Sequence, residues 1–394
     1  MRSSSSSNNQ NKTLVVLGNY GHMGGAERQA IHYIEYLRNE RDAPVSVLGW
    51  YGEGPLSDKL RSIGCEIFNF PYVEKLSGWK KIKNLFDLMR YIRTEIRPDV
   101  ILPFVSIHSK PICLTWKHTG ARYAWWNQQD EGRGMFGTSM ERRALLNARH
   151  ITSNSDAGAT FIANTYGIPR DRILIYNNGI PVPNTDSLTP IWRDNLGLPP
   201  NRLLVSMIAN ITQFKDHETL LKAWAIIKDQ WTGPSEVPYL ALAGHLNEAN
   251  HVLRLKALAF DLGIGECIRF LGSIDTTNQL IWESDIVVHS SIKEGCPNAV
   301  CEAMALGKPA IGTDIPGMRQ ALGDQHSEFV YAHPKDERHL AQKLLSLLTD
   351  ANRREQLGSV NKKRILSDFS IKGMNQLFDQ LVQEGLDQHQ CKIT

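Results

Sequence analysis

The sequence predicts an α/β protein built from two Rossmann-like domains, each with a parallel sheet. Two observations predict this class. Short β-branched or apolar runs alternate with amphipathic stretches of helical period, and the alternation stops at a proline-rich segment and then restarts. The 394 residues, 42% of them apolar and 22% charged, suffice for two buried cores and exclude a wholly disordered chain.

The first half begins with a polar, low-complexity stretch over residues 1–12, which we expect to be a disordered tail without a signal peptide. An N-terminal domain is predicted over 13–180. Its strands are predicted at 14–17, 45–48, 67–70, 100–102, 122–126, 151–154 and 173–176. Helical spacing starts at Ala26 and again at Trp79. In the second helix an apolar stripe is expected to cover the first sheet, formed by Ile82, Leu85, Met89, Ile92 and Ile96.

Five prolines between residues 181 and 200 predict an interdomain linker. The second domain is predicted over 201–370, and a helix over 371–394, for which packing back on the first domain is open. The strands of the second domain are predicted at 203–208, 239–243, 267–271, 285–289 and 310–311. Because ligands of open parallel sheets bind beyond the carboxyl ends of the strands, the active site is expected in the cleft between the domains.

Charge and cysteine content exclude several classes of function. The 44 Lys and Arg against 41 Asp and Glu leave a net charge of +3, which predicts no nucleic-acid partner. Six cysteines without a Cys-x-x-Cys pair fit neither a zinc site nor a disulfide scaffold, and they predict a reducing, cytoplasmic compartment. No run of about 18 apolar residues occurs, so no membrane-spanning segment is expected.

The helix that begins near Trp79 is rich in basic residues, which are Lys80, Lys81, Lys83, Arg90, Arg93 and Arg97. Two interpretations stay open for this helix. Its basic face is solvated like that of any amphipathic helix, which the need for its apolar stripe in the first domain favours, or it makes peripheral contact with an anionic membrane at the inner face.

Glycines lie directly between the first predicted strand and its helix, ending in Gly24 and Gly25. Glycine lets backbone N–H groups approach a ligand, and the start of a helix favours negative charge, so this loop indicates a phosphate contact. A tight strand-to-helix connection explains the same glycines without a ligand.

A second motif runs from Glu294 to Glu302 after the strand that ends near His289. Pro297 can begin a helix and Gly307 can end it, so Glu294 lies in the loop and Glu302 in the helix. Carboxylates accept hydrogen bonds from neighbouring hydroxyls of a polyol, and the backbone N–H groups at the start of a helix favour an anion. Those N–H groups belong to Asn298, Ala299 and Val300.

This glutamate-x7-glutamate string resembles that of glycosyltransferase family 4, whose members are retaining, nucleotide-sugar-dependent enzymes of GT-B fold. Weaker similarities support it over about residues 13–385: the glycine loop 24–28, the asparagine-glycine element 176–180 and the strands near 270–272 and 285–288. The resemblance implies a GT-B architecture, with two Rossmann-like domains facing across a cleft. It also implies that the N-terminal domain, 13–180, binds the acceptor and that the C-terminal domain, 201–370, binds the nucleotide sugar.

The resemblance also implies roles for individual residues on the donor side. Glu294 is expected to contact the hydroxyls of the transferred sugar and to support charge at its anomeric carbon. Glu302 is expected to hold the ribose, Lys215 to pair with the diphosphate, and the backbone near Arg269 and Leu271 to meet the base. A lysine fits the diphosphate site because a departing diphosphate needs positive charge.

Two departures from the family pattern concern the leaving group and the acceptor. No Arg precedes Lys215, so the diphosphate depends on Lys215 and backbone dipoles, or on a distant cation such as Arg133. The His that many members carry in the acceptor loop is absent, and Asn127, Gln129 or Asp130 takes its place. Trp126 in the same loop is either a substrate platform or part of the core.

The sequence thus predicts a retaining transferase that moves a sugar, expected to be linked to UDP, to an acceptor hydroxyl. The acceptor class stays open between a glycan, a lipid-linked glycan and a small molecule. No cofactor is expected, and the lack of any Asp-x-Asp pair predicts a metal-independent reaction. Two alternatives remain, a nucleotide-sugar epimerase of similar fold and a degenerate sugar-nucleotide-binding protein without activity.

Overall fold

The computed structural model describes residues 10–18, 20–21, 24–132, 134–246 and 248–390. The chain divides into two compact units. Unit 1 combines the chain up to Gly179 with the segment from Ile371, and unit 2 is Ile180–Ser370. Most of the predicted tail 1–12 lies outside the described residues.

Thirteen strands are formed by the described residues. In chain order they are β1 (Thr13–Val16), β2 (Val45–Gly49), β3 (Glu66–Asn69), β4 (Val100–Pro103), β5 (Tyr123–Gln128), β6 (His150–Ser153), β7 (Ile173–Ile175), β8 (Leu204–Ile208), β9 (Tyr239–Ala243), β10 (Ile268–Gly272), β11 (Ile286–His289), β12 (Ala310–Thr313) and β13 (Tyr331–Ala332). Twelve of the thirteen coincide with predicted strands to within about two residues. Only the two-residue β13 was not predicted.

Sixteen α-helices alternate with these strands in the described part of the chain. They are α1 (Gly25–Asn39), α2 (Pro55–Ser62), α3 (Gly78–Tyr91), α4 (Ser106–Thr115), α5 (Ser139–Asn147), α6 (Asp156–Tyr166), α7 (Trp192–Asn195), α8 (His217–Gln230), α9 (Ala249–Asp261), α10 (Thr277–Glu283), α11 (Asn298–Ala305), α12 (Pro316–Leu322), α13 (Ser327–Val330), α14 (Glu337–Leu348), α15 (Ala351–Asp368) and α16 (Ile371–Gln390). None of them is long and apolar enough to cross a bilayer.

Unit 1 contains a seven-stranded parallel sheet in the order β3-β2-β1-β4-β5-β6-β7. Successive side chains of a strand point to opposite faces, so Val15 joins a core with α1, α2 and α16, whereas Leu14 and Val16 join a core under α3 and α4. The last helix is therefore part of this unit. Phe378 of α16 packs edge-on against Trp125 and Tyr176, with ring centroids 4.9 Å apart in both pairs.

The approach of α16 explains Gly179 in the asparagine-glycine element. A Cβ atom at this position would lie 2.9 Å from the Cα atom of Ile371. The amide of Gly179 also donates to Oε1 of Gln29 in α1, at 2.8 Å. Any side chain at residue 179 would push α16 away from the sheet of unit 1.

The expected apolar stripe of α3 is correct only in its second half. Leu85 and Met89 are half-buried, and Ile92 and Ile96 are buried in the π-helical turn Ile92–Ile96 that continues the helix. Ile82, which was expected to cover the sheet, is exposed instead. The apolar periodicity continues through both halves of the helix, but the sheet buries the apolar side chains of the second half only.

Unit 2 contains a six-stranded parallel sheet in the order β10-β9-β8-β11-β12-β13. The segment 181–200, predicted as a linker, lies within this unit and includes α7. The carboxylate of Glu283 accepts hydrogen bonds from the amides of Ile191, Trp192 and Arg193 at 2.7–2.9 Å, which fixes the segment to α10. The fold-class prediction of two parallel α/β sheets is confirmed.

Candidate active site

The loops that follow β8 and β11 meet at the point where the strand order of unit 2 reverses. The two strands are parallel neighbours, with Ile286 opposite Val205 and Val287 opposite Ser206. From β8 the chain proceeds to β9 on one side, and at β11 it begins the other side of the sheet. Such a switch point is where ligands bind in open parallel sheets, and it brings Lys215 and Glu294 together.

Hydrogen bonds to backbone carbonyl groups join the two loops. The amide of Ile292 donates to the carbonyl of Phe214 at 2.9 Å, and Oγ of Ser290 donates to the carbonyl of Lys215 at 3.0 Å. Asp216 adopts a left-handed conformation (φ 47°) and caps α8 by accepting from the amide of Thr219. Lys215 therefore lies on a turn that is hydrogen-bonded to the Glu294 loop and is followed directly by the cap of α8.

The N-terminal end of α12 supports the Glu294 loop from its other side. A Cβ atom at Gly317 would lie 2.3 Å from the carbonyl oxygens of Glu294 and Gly295. Glycine is thus required here for close approach, and Oγ1 of Thr313 also donates to the carbonyl of Ser291. The loop that carries Glu294 is consequently held on both sides.

Three donors converge on a single oxygen of Glu294. Oε1 accepts from the ammonium of Lys215, from Nε2 of His289 at 2.8 Å and from Oγ of Ser291 at 2.7 Å. Within the described residues, each hydrogen bond to this carboxylate ends on Oε1, so Oε2 keeps its lone pairs for another donor. The side chain of Glu294 is 13% exposed, so a hydroxyl group of a ligand can reach it.

Electrostatics keep Glu294 ionised. Burial opposes ionisation, but Lys215 and the hydrogen bond from His289 outweigh it and hold the pKa of the carboxyl group well below its ordinary value. Burial lowers the pKa of His289, so its imidazole is neutral at pH 7 and donates through Nε2. The positive charge that stabilises the Glu294 carboxylate is therefore that of Lys215.

Sequence reasoning missed His289 and Ser291 as site residues. His289 is 2% exposed, and its Nδ1 atom has no hydrogen-bond partner within the described residues. The available signal was the polar run of residues 289–291 directly after an apolar strand. Polar side chains at a strand's carboxyl end lie where ligands bind in parallel sheets.

Helix α11 begins beside Glu294 as predicted, with Pro297 as its N-cap. Asn298 and Ala299 are half-buried, whereas Val300 is buried and its amide donates to the carbonyl of Pro297 at 3.1 Å. Of the three amides predicted to face phosphate, that of Val300 thus already has an acceptor. Glu302 is half-buried one turn further along the helix.

The two residues predicted to meet the base lie on β10, at the edge of the same sheet. Arg269 is exposed and Leu271 is half-buried near the carboxyl end of the strand. Because all strands of this sheet are parallel, their carboxyl ends lie on the same side of the sheet. Leu271, near the end of β10, and Lys215, after β8, therefore lie on that side, two strands apart. No group of three or more His, Cys, Asp or Glu side chains in the described part of the chain is arranged to hold a metal ion.

In unit 1, the residues predicted for the acceptor form a buried polar network at the end of β5. Oδ1 of Asn127 accepts from the hydroxyl of Tyr176 and from Nε2 of Gln129, both at 3.0 Å. Asn127 is fully buried, and its Nδ2 atom has no partner within the described residues. Gln129 and Asp130 are half-buried, so they are the accessible members of this segment.

The remaining predictions for unit 1 concern Trp126, Arg133 and the glycine loop. Trp126 is fully buried in a core with α5 and α6, so the structure favours core packing for this residue over the predicted acceptor contact. Arg133 lies outside the described residues. Gly24 is the N-cap of α1, which begins at Gly25, and the amide of Gly24 donates to Oε2 of Glu27 at 3.1 Å. A carboxylate of the helix itself thus already lies at the N-terminus that was predicted to contact phosphate.

Two family models match successive parts of the chain. The model described as Glycosyltransferase Family 4 matches residues 23–182, and the one described as Glycosyl transferases group 1 matches residues 189–364. Together they cover most of unit 1 and most of unit 2.

Curated relatives are named as glycosyltransferases. The chain is 28% identical over 191 residues to D-inositol 3-phosphate glycosyltransferase 2 of Catenulispora acidiphila, which covers 46% of this chain and 43% of the relative. It is 23% identical over 292 residues to an uncharacterized glycosyltransferase of Methanocaldococcus jannaschii, covering 72% of this chain and 70% of the relative. The chain spans about half the length of most of the curated relatives it matches.

Solved structures share the fold over nearly the whole chain. Anabaena HepE in complex with UDP and glucose has a TM-score of 0.78 at 18% identity, covering 95% of this chain and 100% of that one. A glycosyltransferase from Rickettsia africae has a TM-score of 0.80 at 19% identity, covering 96% and 99%. At these identities the similarity shows a common GT-B fold.

Proposed function

Because the chain belongs to glycosyltransferase family 4, we propose that it transfers a sugar from a UDP-linked donor to an acceptor hydroxyl, with retention at the anomeric carbon and without a metal ion. The observation that carries the proposal is the convergence of Lys215 and Glu294 at the switch point of the second sheet. A cation for the diphosphate and a carboxylate for the sugar thereby lie side by side.

The state of Glu294 favours an electrostatic role over that of a general base. A carboxyl group whose pKa lies far below its ordinary value is a weak base and binds protons poorly at neutral pH. Its Oε2 atom can instead accept a hydrogen bond from a sugar hydroxyl, and its charge can stabilise the positive charge that grows at the anomeric carbon. In a front-face reaction the departing phosphate then takes the proton of the acceptor hydroxyl.

Positive charge for the leaving group comes from Lys215 and from the start of α11. Negative charge on the diphosphate grows as the glycosidic bond breaks, so contacts to it strengthen in the transition state. The amides of Asn298 and Ala299 lie in the first turn of α11, where the helix dipole favours an anion. These groups are the basis for proposing a reaction that proceeds without a divalent cation.

The remaining donor contacts follow from the same edge of the sheet. We assign Glu302 to the ribose hydroxyls and the backbone around Arg269 and Leu271 to the base. UDP is favoured as the nucleotide because Anabaena HepE, which shares the fold, is described in complex with UDP and with UDP-glucose. A polar acceptor fits the names of the curated relatives, which act on D-inositol 3-phosphate.

On the acceptor side we assign Gln129 and Asp130, whose side chains are half-buried, to hydroxyl groups of the acceptor. Asn127 lies beneath them and acts through Gln129, whose Nε2 atom donates to its Oδ1 atom. This changes Asn127 from a residue expected to touch substrate into one that positions another residue.

Thermal shift measurements against a panel of nucleotides and nucleotide sugars test the donor, since a bound ligand raises the apparent stability. UDP and one UDP-sugar are expected to raise the melting temperature of the wild type, and Glu302→Ala is expected to reduce the shift. Product analysis by NMR with and without a polyol acceptor tests the reaction. A product that retains the anomeric configuration supports the proposal. Inversion at the anomeric carbon, or epimerisation of the donor sugar in the absence of an acceptor, contradicts it.

A further inference from the structure

Helix α3 presents an apolar stripe to solvent. Trp79, Ile82 and Phe86 are 80%, 53% and 57% exposed. Spacings of three and four residues place these side chains on one face of the helix, and Leu88, which is buried in the core, lies on the opposite face. The exposed stripe is thus separate from the face that packs on the sheet.

The exposed stripe consists of three residues. We call Trp79, Ile82 and Phe86 the α3 patch. Single exposed apolar residues are common on protein surfaces, but a contiguous group rimmed by polar residues indicates an interaction site.

Basic residues surround the α3 patch. The helix carries Lys80, Lys81, Lys83 and Arg90 against one acidic residue, Asp87, which pairs with Lys83 at 2.6 Å. Four basic residues against one acidic residue give α3 a local excess of positive charge of +3.

We propose that the α3 patch docks unit 1 on an anionic lipid bilayer, with α3 lying in the plane of the interface. A helix with apolar side chains on one face and Lys and Arg beside them matches this environment, where the apolar groups enter the acyl boundary and the cations meet lipid phosphates. Tryptophan is enriched at the same depth. The proposal depends on this surface alone and not on the proposed reaction.

A bilayer fits these observations better than a protein partner does. Lys80, Lys81 and Arg90 have long side chains that reach anionic headgroups from the edge of the patch, and no fixed complementary surface is required. Each basic residue near an anionic membrane contributes about 1 kcal/mol, and neutralising one is expected to weaken binding roughly fivefold.

Co-sedimentation with vesicles tests the docking. The wild type is expected to bind vesicles of phosphatidylglycerol mixed with phosphatidylcholine and to bind pure phosphatidylcholine much more weakly. The double variant Trp79→Ser/Phe86→Ser is expected to lose most of this binding. The matched control is Phe260→Ser on α9, because Phe260 is equally exposed, at 82%, and lies outside the patch. Equal binding of the wild type and the double variant would overturn the proposal.

Charge and self-association provide two further readouts. Lys80→Gln/Lys81→Gln is expected to lower binding to the anionic vesicles more than tenfold, and raising the salt to about 1 M to weaken it as well. Circular dichroism should show unchanged melting of all variants, since the replaced side chains are exposed or half-buried. If sedimentation velocity without vesicles shows a dimer that the double variant abolishes, a second copy covers the patch and the proposal is wrong.

Discussion

The ammonium group of Lys215 pairs with the carboxylate of Glu294, although 79 residues separate them in the chain. The two side chains come from the loops after β8 and β11, and they are 24% and 13% exposed. Two charges held together this far from bulk water attract each other more strongly than they would on the surface. A diphosphate that enters the site competes with Glu294 for the same ammonium group, so donor binding and the state of the carboxylate are coupled.

Lys215→Ala is expected to lower kcat and to raise KM for the donor, by a combined ~2–5 kcal/mol, because a desolvated charge pair is lost in the transition state. Lys215→Arg should recover part of the activity, since charge matters more here than the geometry of the fork. Thr212→Arg in the alanine background should restore some activity if residue 212 faces the same phosphates. Steady-state kinetics measure these effects. A normal kcat/KM in Lys215→Ala would show that another group holds the leaving phosphate.

Glu294→Gln is expected to lower kcat ~10²–10³-fold, the usual cost of removing one preorganised electrostatic group. Binding of UDP should be unchanged or tighter, because the substitution releases Lys215 from its carboxylate partner. Single-turnover kinetics together with titration calorimetry of UDP separate the two effects. Wild-type turnover in this variant would remove Glu294 from the reaction.

His289→Ala is expected to lower kcat roughly tenfold or more while KM for the donor stays close to that of the wild type, because a hydrogen bond to a charged group is worth about 1.5–3 kcal/mol. His289 donates to Glu294 through Nε2 and is only 2% exposed, so we expect it to position the carboxylate rather than to contact the substrate. His289→Gln is the matched control, since its amide can donate from a similar place. If the glutamine variant is as slow as the alanine variant, the hydrogen bond is not what His289 contributes.

Chelation is expected to leave the reaction intact. The described residues offer no group of metal ligands, and Lys215 supplies positive charge for the diphosphate. The initial rate should be the same after dialysis against EDTA as before it. A rate that falls to background and returns with manganese or magnesium would show that the reaction needs a metal.

Unit 1 should lose stability in acid through Glu141, whose side chain is fully buried. Burial opposes ionisation, but the hydrogen bonds from Lys110 and from the amides of Thr138 and Phe136 outweigh it and lower the pKa of Glu141 to about 2. A lowered pKa in the folded state stabilises it above pH ~4.5, and this contribution, about 3 kcal/mol, is lost as the pH falls towards 2.

Thermal unfolding of Glu141→Gln at several pH values tests this linkage. The variant should melt well below the wild type at pH 7, and the difference should shrink as the pH falls below ~4.5. Glu355→Gln is the control, because Glu355 is exposed on α15. A difference that stays constant with pH would mean that the variant loses packing rather than charge.

Much of the architecture could be predicted because periodicity and chain punctuation are local properties. Helix α11 follows Pro297 and ends before Gly307 (φ 71°), as the sequence predicts. The proximity of Lys215 and Glu294 could be predicted from the sequence for a different reason. Both residues follow strands whose parallel arrangement brings their ends to one edge of a sheet.

The features that were missed depend on how much surface neighbouring elements cover. Trp126 and Ile82 both belong to apolar patterns, yet one is fully buried and the other is 53% exposed. Periodicity identifies the apolar face of an element but not the extent of its partner. His289 was missed because its role depends on a carboxylate five residues away that folds back to it, which no spacing rule describes.

The position of α16 in unit 1 has a consequence for the order in which the protein acquires its structure during synthesis. Domains generally fold as their residues leave the ribosome. Here Tyr33 donates to Asp379, 346 residues later, at 2.9 Å, and Phe378 fills the space beside Trp125. The core of unit 1 therefore stays incomplete until α16 (Ile371–Gln390) has been translated, whereas Ile180–Ser370 precedes that helix in the chain and can close its own core earlier.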